Sequence, residues 1–317
     1  MQKPFRFGVQ ISSLKPGKWV KKARRFEELG YDTLFCPDHF GGQWDPTALL
    51  ASVAAVTERI RIGTLVHAVD FRHPAVLAKS AATLQLLSGG RFEFGIGAGW
   101  QQSDYEKSGI GLDPPGVRIE RLGEALEIIR SMWTLEQTSF EGAHYRIAEI
   151  GEAVSGIREV APPRVLIGGG GRKLLALAGR HADIVGINPQ LHEGAVTAET
   201  PGDLTPERVR EKIRWIRESA EAAGRDPETI ELSSLSFVVS ITDDPKPVRE
   251  ALAKGTGMSV EQVSDCPLFL IGSSAELCDR LQKRREETGI SYVVIQGGGK
   301  EVIEGFAEAV IEPLSEK

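Results

Sequence analysis

Gly89-Gly90-Arg91-Phe92-Glu93-Phe94-Gly95-Ile96-Gly97-Ala98-Gly99-Trp100 is the stretch whose reading decides the fold. Phe92, Phe94 and Ile96 alternate with Arg91, Glu93 and Gly95, which is the period of a strand. Gly95, Gly97 and Gly99 then occupy every second position, and Trp100 closes the run. Glycine has no side chain, so a flat ligand can lie close against the backbone. The dinucleotide fingerprint G-x-G-x-x-G would require its third glycine at 100 or 102, where Trp100 and Gln102 stand. The stretch predicts a strand end that opens onto something planar, not a Rossmann turn. The plainer alternative is a strand that ends in a flexible glycine loop.

Working outward, strands are expected over 5–11, 33–37 and 60–66 before this stretch, and over 165–167, 183–187, 231–241 and 292–295 after it. Helical periodicity separates them. Val20, Ala23, Phe26 and Leu29 mark one helix face, and Ile119, Leu122, Leu126, Ile129 and Trp133 mark another. Eight short apolar runs alternating with helices are the signature of a parallel sheet covered by helices. The expected fold is α/β, a (β/α)8 TIM barrel with insertions near 134–162, 188–204 and 243–273, as one domain over 1–317. A doubly wound sheet is the alternative. Within the first insertion, residues 140–145 suggest a small hairpin.

The composition narrows the function. The 317 residues carry 38 Lys and Arg against 44 Asp and Glu, a net charge of −6. With no long basic run, nucleic acid is a poor partner. Hydrophobic residues make up 41% of the chain, enough for a large core. No apolar run approaches the length of a membrane span, and the start has no apolar signal core. The three cysteines, Cys36, Cys266 and Cys278, form no C-x-x-C pair. A reduced cytoplasmic protein without structural zinc is the expectation.

In a barrel of this kind the active face lies at the C-terminal ends of the strands. Polar and glycine-rich residues fall there repeatedly: Asp38-His39, the loop 67–73, Gly97 to Trp100, and Gly168 to Arg172. The alternative is that strand ends simply carry polar turns. Gly168 to Gly171 lead straight into a helix, whose free N–H groups favour an anion, and Arg172 adds charge. A phosphate is the natural guest; otherwise the glycines serve close packing alone. His39, His67 and His73 lack zinc-site spacing, and no G-x-S-x-G elbow offers a nucleophilic serine. Cys36 lies inside a strand and is read as buried. Trp44 reads equally as core or as a pocket wall.

These residues resemble the luciferase-like flavin and deazaflavin oxidoreductases over essentially the whole chain. The resemblance rests on Ala23-Arg24 to Gly30-Tyr31-Asp32, Pro37-Asp38-His39, Arg72-His73-Pro74, Leu87-Ser88-Gly89-Gly90-Arg91 leading into Gly97-Ala98-Gly99-Trp100, Gly168 to Gly171, and Ala182-Asp183. It is nearest to the branch that uses deazaflavin coenzyme F420, with FMN as the alternative cofactor. The resemblance implies a tricyclic ring in the barrel mouth, with Leu65 and Val66 against one face across a non-proline cis peptide. Asp38 and His39 would approach the ring edge, and Gly97 and Gly99 would give it room. Gly169, Gly170, Gly171 and Arg172 would take the phosphate. His39 would be the proton donor or acceptor, since imidazole changes charge near neutral pH. Trp44 would wall the substrate side, and Trp100 belongs to the same pocket. A small-molecule substrate and a homodimer follow from the same likeness. Two departures stand out. Trp100 occupies the place of a glutamate found in the sugar-phosphate dehydrogenases of this branch, which argues against a sugar-phosphate substrate. Gln85 replaces a common Asp. The competing functions are an FMN-dependent monooxygenase and a non-catalytic flavin-binding protein.

Overall fold

The computed structural model describes residues 2–191 and 194–315. His192 and Glu193, within the expected 188–204 insertion, lie outside the described residues. Eight strands form the sheet: β1 Arg6–Gln10, β2 Thr33–Cys36, β3 Arg61–Thr64, β4 Phe92–Gly97, β5 Arg164–Gly169, β6 Ile184–Ile187, β7 Glu231–Ser236 and β8 Ile290–Gln296. They pair in parallel in the order β3-β2-β1-β8-β7-β6-β5-β4. Ile62 opposite Phe92 and Gly63 opposite Glu93 then join β3 to β4. The sheet therefore closes on itself, which a doubly wound sheet cannot do. Helices cross over between successive strands, as parallel neighbours require. The fold is an eight-stranded (β/α)8 barrel.

Closure divides the core in two. Phe92, Phe94 and Ile96 point outward and join the large apolar layer between strands and helices. By the two-residue period, Glu93, Gly95 and Gly97 face the barrel interior. Phe35, Leu166, Ile184, Tyr292 and Val294 fill that interior, with half-buried Leu65, Val66 and Leu235 packed against them. The Phe35 ring needs small neighbours. A Cβ at Gly63 would lie 2.5 Å from it, and one at Gly8 would lie 3.0 Å away.

A charged layer closes the N-terminal end. Glu93 is fully buried and accepts hydrogen bonds from Arg6 at 2.5 Å, Arg61 at 2.8 Å and the Tyr292 hydroxyl at 2.9 Å. Glu231 accepts from Arg6 at 2.9 Å and Arg164 at 2.8 Å. Burial opposes ionisation of Glu93, but the Arg6 and Arg61 charges outweigh it and hold its carboxyl below the usual range. Removing one partner from such a network would leave a buried charge uncompensated.

Two strand ends shape the opposite rim. The strand expected over 231–241 is in fact two. Ser236 Oγ donates to the Pro267 carbonyl at 2.7 Å, and the Phe237 and Val238 N–H groups both donate to the Leu268 carbonyl. These bonds pull the chain out of the barrel, and Val238–Ile241 pairs in parallel with Phe269–Gly272. The strand expected over 60–66 stops at Thr64. A cis Leu65–Val66 peptide follows, and His67–Ala68 pairs with the end of β4.

The first insertion holds an antiparallel hairpin, Gln137–Glu141 with Arg146–Gly151. The third holds helices Lys246–Thr256 and Val260–Asp265. Gln85 is structural: it donates to the Ala161 carbonyl at 2.8 Å and accepts from the Phe92 N–H at 3.2 Å. Among the described residues no helix is long and apolar enough to cross a membrane.

Candidate active site

β2 ends at Cys36, buried as expected, and delivers Pro37-Asp38-His39 to the rim. Asp38 is buried and fully engaged. Its Oδ2 lies 3.0 Å from His67 Nδ1 and 2.5 Å from Arg72, and Arg72 also reaches Asp38 Oδ1 at 3.2 Å. Burial alone would raise the Asp38 pKa. Hydrogen bonds and charge from His67 and Arg72 outweigh that and hold it below the ordinary carboxylate value. Arg72 is shared with Asp45 at 2.9 Å, so one guanidinium ties together the start of the helix Pro46–Ala54 and the end of β2.

His39 stands differently. Its Nδ1 lies 2.6 Å from Asp104 Oδ2, while a quarter of its side chain remains exposed. Asp104 is buried in the short helix Gln102–Ser108 that follows β4. Its Oδ1 accepts from the Phe40 N–H at 3.3 Å and from Gln101 Nε2 at 2.9 Å. The Trp100 ring meets the His39 ring edge-on, with centroids 5.5 Å apart and planes at 82°. β2 and β4 are not adjacent, because β3 lies between them. Only the curvature of the barrel brings His39 and Asp104 together.

The floor beneath this pair is apolar. Leu65 and Val66 cap the interior cluster, and Gln10 Nε2 donates to the Leu65 carbonyl at 2.8 Å. Gly97 faces Val66, whose Cγ2 would lie 2.9 Å from a Cβ placed there. Gly99 serves a neighbour in the fold. It has φ +72°, and a Cβ on it would lie 1.7 Å from the Tyr105 hydroxyl oxygen. That hydroxyl donates to Asp70 at 2.8 Å. Arg118 holds the loop from beneath, donating to the Ala98 carbonyl at 3.1 Å and to the Gly99 carbonyl. Trp44 is half-buried and packs on the outer apolar layer, and its backbone N–H donates to the Ser12 carbonyl.

β5, beside β4, leads into the glycine run. A Cβ at Gly169 would lie 2.6 Å from Leu174, and one at Gly170 would lie 2.3 Å from the backbone of Pro189 and Gln190. Packing therefore explains these two. It does not explain Gly171, whose nearest neighbour would lie at 3.6 Å. Gly171 precedes the ten-residue helix Arg172–His181, and no side chain caps it. Arg172 and Lys173 are exposed there. Free N–H groups, the positive helix end and two cations form a place for an anion.

The sequence reading missed Asp104, the Asp38–His67–Arg72 cluster, and Lys212 behind the glycine run. Asp104 left no periodic signal, because Trp100 precedes the N-cap of the short helix Gln102–Ser108 that carries it. Among the described residues no His, Cys, Asp and Glu are grouped to hold a metal ion. A cleft of about 800 Å³ opens at the other end of the barrel, lined by Arg214, Arg217, Glu218, Glu221 and Glu228 among others. Lys3, Arg285 and apolar Ile230 and Leu232 belong to its lining, which holds no histidine.

A sequence profile of the luciferase-like monooxygenases matches residues 4–301. The chain belongs to that family. It is 28% identical to an F420-dependent glucose-6-phosphate dehydrogenase of Amycolatopsis mediterranei, over 94% of this chain and 95% of that protein. A protein of the same description from Microbacterium testaceum is 32% identical over 71% of this chain and 70% of its own length. Among solved structures, the coenzyme F420-dependent tetrahydromethanopterin reductase of Methanopyrus kandleri superposes with a TM-score of 0.78 at 19% identity, covering 99% of this chain and all of that one. The last likeness speaks for the barrel. The family match speaks for the chain as a whole.

Proposed function

We propose that this luciferase-like protein is an oxidoreductase that uses coenzyme F420 and moves a hydride between the deazaflavin and an organic small molecule. The observation that carries this reading is the convergence on one rim of a partly exposed histidine, an apolar floor and an uncapped helix start. The residues fit the group. Val66 and Gly97 offer a side-chain-poor floor, and Gly171 leaves the helix N–H groups open to an anionic tail. Leu65, Val66 and Gly97 would hold the ring, Asp38 and His39 its edge, and Gly169, Gly170, Gly171 and Arg172 the phosphate. Gly99 would act indirectly, by letting Tyr105 close against the loop. When bound, a deazaflavin supplies two-electron hydride chemistry.

The protein supplies position and a proton. His39 is the candidate to hold or release that proton at the ring edge turned to the mouth. Trp100 stands against it, and with Trp44, which packs on the outer apolar layer, would shape the substrate pocket. The sequence relatives named as F420-dependent support deazaflavin over FMN. Glucose 6-phosphate is disfavoured as the substrate, because Trp100 replaces the expected glutamate. The family likeness supports a homodimer, and three free cysteines support a cytoplasmic location.

The test is a titration of purified apo protein with F420 and with FMN, following fluorescence. Preferential F420 binding is expected. Preferential FMN binding would overturn the choice of cofactor in favour of a monooxygenase. Tight F420 binding without turnover on any hydride donor or acceptor would favour a carrier.

A further inference from the structure

We propose that Asp104 is a positioning residue that fixes the tautomer of His39, so that Nε2 is the nitrogen offered to the reaction. The inference rests on the role just given to His39 and deepens it.

Hydrogen-bond supply decides the tautomer. An ionised carboxylate only accepts. Asp104 Oδ2 lies 2.6 Å from His39 Nδ1, so in the neutral ring Nδ1 must carry the hydrogen. Asp104 cannot turn away to suit another tautomer. Its second oxygen takes the Phe40 N–H and Gln101 Nε2, one from each side of the rim. The Asp104 side chain is 5% exposed, so its oxygens are spent on these protein donors. Phe40 follows His39 directly, and the same carboxylate therefore sets both the backbone and the ring of this turn. Trp100 packs edge-on against the ring, with centroids 5.5 Å apart.

With Nδ1 occupied, Nε2 carries the lone pair. No hydrogen bond to it occurs among the described residues, and the side chain is 23% exposed. A proton taken at Nε2 makes an imidazolium whose charge faces Asp104 across a short contact; release at Nε2 restores the neutral ring. The second histidine–carboxylate pair, His67 with Asp38, shows the contrast. His67 is 2% exposed and Asp38 is already claimed by Arg72, so that pair braces the rim without offering a nitrogen to the mouth.

The test reads the tautomer directly in the full-length apo protein, independent of any cofactor. Histidine is labelled with ¹⁵N, and the His39 signals are assigned by their loss in His39→Ala. Long-range ¹H–¹⁵N spectra are recorded where the ring is neutral. The expected result is Nδ1–H in the unmodified protein, its loss in Asp104→Ala, and its return in Asp104→Glu. Asp104→Asn, equal in size, guards against a fold defect in the alanine variant and is expected to weaken the Nδ1–H preference. An Nε2–H ring in the unmodified protein, or Nδ1–H persisting in Asp104→Ala, overturns the proposal. A failed F420 titration beside the expected spectra would sink the cofactor reading alone.

Discussion

The Lys212 ammonium donates to the Gly170 carbonyl at 2.6 Å, forty-two residues away in the chain, and reaches Asp203 at 2.7 Å on its other side. Lys212 is fully buried. Burial pulls its pKa down while Asp203 opposes that pull. Asp203 also accepts from the Gln190 N–H at 2.6 Å and from Arg208. One buried cation thus fastens the glycine run to the loop behind it.

Lys212→Met should therefore loosen the anion site from behind. Asp203 keeps its other donors, so the expected loss is about 2–3 kcal/mol of stability, the range for a buried group stripped of one partner. Urea unfolding measures it, and F420 affinity should fall in parallel. An unchanged midpoint with unchanged affinity would show the latch to be idle.

Gly99 and Gly171 make a matched pair. Gly99→Ala forces a Cβ to 1.7 Å from the Tyr105 hydroxyl at φ +72°. It should cost about 3 kcal/mol from overpacking and backbone strain together. Gly171→Ala meets nothing closer than 3.6 Å and should stay within about 0.5 kcal/mol of the parent. Its effect should appear in F420 affinity, since a methyl group would then stand at the helix start. Thermal melts and cofactor titrations of both variants separate packing from binding. Equal affinity in Gly171→Ala and the parent would move the phosphate elsewhere.

His39→Ala should lower turnover by roughly two to four orders of magnitude while cofactor binding persists, as for loss of a general acid or base. Steady-state rates and the same fluorescence titration check both halves. Full activity in this variant would remove His39 from the chemistry.

His181 makes stability depend on mild acid. Burial, then the charges of Arg180, Arg130 and Arg225, lower its pKa from 6.5 to about 4. Between those values the unfolded chain binds a proton that the folded chain does not. Stability therefore rises with pH across this window and falls as pH drops from 6.5 towards 4, by at most about 1.4 kcal/mol per pH unit from this residue. Below about 4 both states are protonated and His181 adds no further slope. Unfolding midpoints from pH 4.5 to 7 should be flatter in His181→Asn. The same slope in both proteins would assign it to other groups.

The sequence by itself determined the barrel and the rim. Eight apolar runs separated by helical periods leave few ways to bury both faces of a sheet, and the even-residue phenylalanines of 92–96 fix which side of β4 faces the helices. Asp38-His39 and Gly168 to Arg172 were legible because strand-end positions follow from that periodicity. Tertiary structure alone decided the partners. His39 meets Asp104 across β3, Gly170 meets Lys212 from a distant helix, and Gly99 answers to Tyr105 as much as to any ligand. The break at Phe237 is of the same kind, since its cause is the Leu268 carbonyl thirty-one residues on. Local pattern encodes the direction in which a side chain points, but which group waits there depends on how the closed sheet curves, and curvature sums over every strand at once.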